Sequence, residues 1–252
     1  MLDSWISLPV GILIAAVVST VGIGGGILWM PFLMIILHLR PETAVVTSLL
    51  IQTAGMGSGT VSYWRQQLID PPLMMVLLPL AIPGIALGAY LTRITTAAHL
   101  ELILGALTLT TALIFVSANQ AYDDSGSQRV EVKTARQSGW IVSAMAITSG
   151  MLSVSIGEWL VPLMRSKWSL RMSVAVATSI ATIFGTCVLG ALFHLAMGSR
   201  ADWAVLGWAV PGVVIGGQIG PRIAGRINDR ILKEIFIFLL TLIGIHLIYN
   251  SY

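Results

Sequence analysis

Three groups of residues in this sequence could do chemistry, and each would act through dipoles, hydroxyls or a single acid. The first is Gly22-Ile23-Gly24-Gly25-Gly26, with Pro31 behind it. Successive glycines inside a long apolar stretch interrupt a helix. A broken helix exposes backbone N–H groups and the positive end of its dipole, and both suit an anion. The plainer reading is close helix packing through small residues. The run is not a nucleotide loop, because no Lys-Ser/Thr follows it. The second group is Thr47-Ser48 and its copy Thr178-Ser179. Hydroxyls coordinate an oxyanion without carrying full charge into lipid, whereas the plainer reading has each bonding its own i−4 carbonyl. The third is Glu158, just after Ser155-Ile156-Gly157. An acid in a charge-free stretch is costly and points to a proton relay or a coupling cation. Its plainer reading is an interfacial acid paired with Arg165. Gln52, Gln218 and His194 are lesser candidates, and His194 reads as interfacial. Nothing is spaced as a Ser-His-Asp triad, a carboxylate pair or a metal cluster, so neither enzyme activity, nor a cofactor, nor a metal is expected.

The elements that hold these groups must lie in a membrane. The chain has 252 residues, 56% hydrophobic and only 10% charged, with mean hydropathy +0.88. Soluble domains carry about 25% charged residues. Trp5 to Leu37, Thr43 to Trp64 and Met172 to Ser199 contain no Asp, Glu, Lys or Arg. About 20 apolar residues span a bilayer as a helix, and backbone in lipid must satisfy itself, so these stretches are expected to be helical. The alternation of a barrel strand is absent. The net charge of +3 fits basic loops rather than a nucleic-acid surface. Cys187, the single cysteine, excludes an intrachain disulfide. The first apolar stretch lacks a basic leader and is read as mature structure.

The chain is also a duplication. A shift of 131 residues puts Pro31 on Pro162, Leu39 on Leu170 and Arg40 on Arg171. The same shift puts Ala44, Val45, Thr47 and Ser48 on Ala175, Val176, Thr178 and Ser179. Chance gives about one or two such identities, so an internal repeat is indicated. Further on, Pro83, Gly84 and Gly88 align with Pro211, Gly212 and Gly216. The halves are 1–117 and 138–252, joined by a polar, solvated linker at 118–137. Each half predicts five helical segments: about 5–21, 27–38, 43–64, 72–92 and 98–117, then about 138–155, 158–166, 171–196, 202–222 and 231–250. The second segment of each half is too short to cross a bilayer alone and reads as half of a broken or re-entrant helix. With an odd number of crossings per half, one side of the membrane collects only Arg40, Arg93 and Arg200 of the 14 Lys and Arg residues. That asymmetry predicts inverted repeats, with the termini outside and the linker cytoplasmic. Trp5, Tyr63, Trp64, Trp140, Trp168, Trp203 and Tyr249 sit near segment ends as interface aromatics. The fold expected is therefore an all-α polytopic membrane protein of two inverted repeats, broken at the glycine motif. One mid-membrane anion site would be lined by Gly24, Gly25, Gly26, Thr47, Ser48, Ser155, Gly157, Thr178 and Ser179, with Glu158 coupling or gating.

The stretch from Val21 to Asp70 resembles the TauE/SafE family of sulfite and organosulfonate transporters. The residues that carry the resemblance are the glycine run, Pro31, Ala44, Thr47-Ser48, Tyr63, Arg65 and Ile69-Asp70, and it extends over both halves. It implies a multi-pass permease of the bacterial inner membrane that exports sulfite, sulfoacetate or a related sulfur anion. The partners it implies are that anion, the bilayer and protons; no nucleic acid is expected, and the oligomeric state is open. The second half departs from the pattern, with Ser155-Ile156-Gly157-Glu158 where more glycine is usual, so the two halves are not expected to serve the site equally. An anion channel, a permease for another small anion and a membrane-embedded enzyme are the alternative readings.

Overall fold

The computed structural model describes residues 4–117, 126–223 and 229–250. Every regular element among them is helical, and a single strand-like bridge joins Ser127 to Leu170. A short turn at Ser4–Ile6 leads into α1 (Ser7–Val21). Then come α2 (Gly26–Pro31, continued by a π turn through Phe32–Ile36), α3 (Pro41–Arg65), α4 (Pro71–Ile94) and α5 (Ala97–Ser117). The second half holds α6 (Val132–Gln137), α7 (Gly139–Leu152), α8 (Gly157–Trp168), α9 (Met172–Ala196), α10 (Trp203–Ile223) and α11 (Asp229–Asn250). Six of these helices are long and apolar enough to cross a membrane. At 1.5 Å per residue the 12 residues of α8 reach about 18 Å, well short of a bilayer core of about 30 Å.

Local chemistry sets the boundaries. Pro41 and Pro71 open α3 and α4 behind the extended Arg40 and Asp70, where a missing N–H costs nothing. Pro31 cannot donate to the turn before it, and α2 widens into a π turn directly after it. Left-handed residues recur at the 131-residue spacing of the repeat. Gly22 (φ 81°) matches Ser153 (φ 58°), His38 (φ 52°) matches Ser169 (φ 50°), and Gln67 (φ 56°) matches Gly198 (φ 88°).

The packing also recurs between halves. Gly212, Gly216 and Gly220 of α10 approach the carbonyls of Leu8, Ile12 and Ala16, so α1 and α10 run side by side in the same direction. Gly84 and Gly88 of α4 approach the carbonyls of Ser143 and Ile147 on α7 in the same way. These contacts place Gly84 on Gly216, Gly88 on Gly220 and Pro79 on Pro211, which corrects the sequence alignment of Pro83, Gly84 and Gly88 by one helical turn. Small residues spaced by four hide such a slip in the sequence, and only the neighbouring helix reveals it. Helices α3 and α9 run antiparallel, with Gly190 beside Leu49, Gly57 beside Phe184 and Gly59 beside Ile180. Helices α5 and α11 pair with each other, Gly105 against Gly244.

Two expectations about the surface change. Trp5, Trp64, Trp140, Trp203 and Tyr249 are exposed, but Tyr63 and Trp168 are buried and are not interface residues. Of the predicted linker, 118–125 lies outside the described residues. The rest is pinned to both halves. Val130 N donates to Asp70 Oδ2 at 3.2 Å, and Arg171 Nε donates to the Gly126 carbonyl at 3.2 Å.

Candidate transport site at the helix junction

Helix α1 ends at the left-handed Gly22, and α2 starts after Gly25; α7 ends at the left-handed Ser153, and α8 starts after Ile156. The two breaks lie back to back, and every residue from Gly22 to Ile27 and from Ser153 to Glu158 is buried. A Cβ at Gly26 would strike the Ser153 carbonyl, one at Gly157 would meet the Gly22 carbonyl, and one at Gly24 would strike Ser155. Glycine at these positions lets one backbone lie on the other. Gly25 instead faces Trp29 and Ile14.

The Thr-Ser pairs divide their work. Ser179 Oγ donates to the Gly22 carbonyl at 2.8 Å, and Ser153 Oγ donates to Ser48 Oγ at 2.9 Å. Each serine therefore braces the break of the other half. The threonines point elsewhere: Asp202 N donates to Thr47 Oγ1 at 2.9 Å, and Asp70 N donates to Thr178 Oγ1 at 3.0 Å. Asp70 and Asp202 in turn cap α4 and α10, through Leu73 N and Val205 N. Thr47 thus fastens the start of α10 and Thr178 the start of α4, and their hydroxyls do not open onto the junction.

Gln52 belongs to the junction more fully than its sequence context suggests. It is 1% exposed. Its Nε2 donates to the Ser153 carbonyl at 2.9 Å and to Ser153 Oγ at 2.7 Å, and its Oε1 has no partner. Gln52 follows Ser48 by four residues on one helix face, and that spacing was the available signal. Glu158 is fully buried and accepts from Ser155 Oγ at 2.8 Å, while its Oε1 has no partner. It lies inside the protein, and Arg165 Nη1 donates to the Leu170 carbonyl at 2.7 Å. A bare carboxylate at membrane depth costs at least about 2.5 kcal/mol on insertion scales. The matching residue of the first half is the buried Ile27. His194 is buried as well, correcting its interfacial reading. It contacts the Gly150 carbonyl at 2.7 Å, as Tyr63 OH donates to the Ser19 carbonyl at 2.8 Å. Gln218 Nε2 donates to the Ser58 carbonyl, away from the junction.

The junction therefore gathers the first-turn amides of α2 and α8, the carbonyl ends of α1 and α7, three serines close to Gln52, and one acid. Such an array can hold and release a small polar solute at membrane depth. Among the described residues no group of three or more His, Cys, Asp or Glu could hold a metal. A separate cavity of about 290 Å³, lined by Met34, Ile35, His38, Glu101, His246 and Leu247, shares no residue with the junction.

The sequence matches the family described as sulfite exporter TauE/SafE over residues 7–247. It is 26% identical over 262 residues to YunE of Bacillus subtilis (strain 168), a probable membrane transporter protein, covering 96% of each chain. It is likewise 26% identical over 241 residues to YjnA of the same organism, also a probable membrane transporter protein, covering 90% of this chain and 94% of the other. No solved structure matches the chain. With broken helices meeting at a buried polar junction and a family match over nearly its full length, the chain belongs to the TauE/SafE family of membrane transporters.

Proposed function

We propose that the protein is a secondary transporter that moves a small sulfur-containing anion, sulfite, sulfoacetate or another organosulfonate, outward across the bacterial inner membrane, coupled to protons through Glu158. The observation that carries this reading is the burial of both helix breaks against each other. A channel would keep a path open past the breaks, whereas a carrier closes over its site. The anion would meet the first-turn amides of α2 and α8, Gln52 Nε2 and the hydroxyls of Ser48, Ser153, Ser155 and Ser179. Gly24, Gly25, Gly26 and Gly157 bring backbone to it, and Thr47 and Thr178 fix the helices around it. These are partial charges, which bind moderately and release, as a carrier requires.

Inverted repeats belong to the same proposal. Antiparallel α3 and α9, and the matched pairs α1 with α10 and α7 with α4, support that symmetry. In this arrangement the termini are periplasmic and residues 118–137 are cytoplasmic, on the side that collects most of the Lys and Arg. A binding screen of sulfite, sulfate, thiosulfate, sulfoacetate and taurine on the purified protein tests the substrate class. Saturable binding of sulfite or a sulfonate, weakened at least about tenfold in Ser48→Ala combined with Gln52→Leu, is the expected result. No binding of any of the five anions would overturn it.

A further inference from the structure

We infer that the junction holds one small cation, a proton or a sodium ion, between Gln52 Oε1, Ser155 Oγ and the Glu158 carboxylate, over the face of Gly24. The inference rests on the reading of the junction as a transport site and extends it to the cation's ligands.

The first ground is the pattern of unmet hydrogen bonds. Gln52 Oε1 and Glu158 Oε1 are both buried acceptors without a partner. Buried polar atoms in folded proteins are almost always satisfied. The orientation of the Gln52 amide is fixed by its neighbours, because the group facing the Ser153 carbonyl at 2.9 Å must be a donor. Its oxygen therefore faces the other way. The unmet capacity of these two oxygens is for a donor or a cation.

The second ground is placement. A Cβ at Gly24 would meet both Ser155 Oγ and Gln52 Oε1, so the two oxygens lie against the same face of Gly24. Ser155 Oγ is already 2.8 Å from Glu158 Oε2, which joins the three side chains into one group of oxygens. Unwound backbone carbonyls and half-helix C-terminal ends coordinate cations in other transporters, and the C-terminal ends of α1 and α7 lie at this junction.

The third ground is charge. The elements packed on this end of α8 bring Gly22 and Ile23 of the first break, and Ile183 and Cys187 of α9. Cys187 is the titratable group among them, and none is positively charged. A buried carboxylate without a cationic partner must be neutralised by something it binds. A proton on Glu158 Oε1 would donate toward a neighbouring acceptor such as Gln52 Oε1, and sodium would sit among the same oxygens. The closed state described here is then the cation-loaded one, and the first half, with Ile27 in place of the acid, contributes the amide of Gln52 instead.

The test reads cation binding without any anion. The unfolding midpoint of the purified protein is measured in choline buffer as sodium is added, and separately as the pH is lowered from about 8 to about 5. Wild type should gain several degrees from one of the two, sodium or acid, and the responding arm identifies the ion. Glu158→Gln should lose that gain, and Gln52→Leu should reduce it. Should Glu158→Gln fail to fold, the infrared band of a protonated carboxylic acid in wild type, removed by alkaline pH or replaced by sodium, reads the same site directly. A wild-type midpoint indifferent to sodium, with an acid response unchanged by Glu158→Gln, would overturn the cation site while leaving anion transport untouched. Absence of anion binding alongside a Glu158-dependent cation response would overturn the transport reading instead.

Discussion

At the residue scale, each Thr-Ser pair bonds two different neighbours, the threonine at the start of a long helix and the serine at a helix break. The duplication made them candidates, but adjacent residues on a helix face about 100° apart, so one pair serves two neighbours. Which neighbour each meets depends on how the halves interlock, and no spacing encodes that. Thr47→Val and Thr178→Val each leave a helix-starting amide without its acceptor, at Asp202 and Asp70. Each is expected to cost about 1–2 kcal/mol of stability in a thermal or denaturant titration. Substrate affinity should change less in these variants than in Ser48→Ala, whose hydroxyl accepts from Ser153 at the junction. His194 and Tyr63 teach the same lesson, since two unlike side chains hold matching carbonyls and only the repeat offset relates them.

At the element scale the helices were largely legible. Charge-free runs and prolines marked their ends to within a few residues, and the short α2 and α8 followed from the glycine run and its repeat. Less legible were the slip of one turn between α4 and α10 and the short α6, because neither leaves a mark in hydropathy. The close approach of the two breaks is the element-level feature most open to test. Gly26→Ala and Gly157→Ala place a methyl group against the opposite backbone, and each is expected to destabilise by about 1–3 kcal/mol or to abolish folding. Gly207→Ala on α10 meets nothing within 4 Å and serves as the control, expected to stabilise by up to about 1 kcal/mol. Unfolding midpoints of the three variants in one detergent decide the matter; equal effects at all three sites would contradict the packing.

At the scale of the whole molecule, the helical membrane class could be read from composition, and the interlocking of the halves could not. Each half donates its break, its serine and its threonine to the other, so neither half forms the junction alone. The inverted arrangement predicts sidedness. In a Cys187→Ser background, Ala98→Cys should react with an impermeant thiol reagent added outside intact cells, and Gln128→Cys should react only after lysis. Reaction of Gln128→Cys from outside would contradict a cytoplasmic linker. Sulfite flux in proteoliposomes with an imposed pH gradient tests whether the protein is a closing carrier for a sulfur anion driven by protons. The gradient is expected to drive sulfite across wild-type vesicles beyond its equilibrium level, and Glu158→Gln to lose this accumulation far more than it loses sulfite exchange. Sulfite flux that ignores the pH gradient and runs equally in wild type and Glu158→Gln would contradict it.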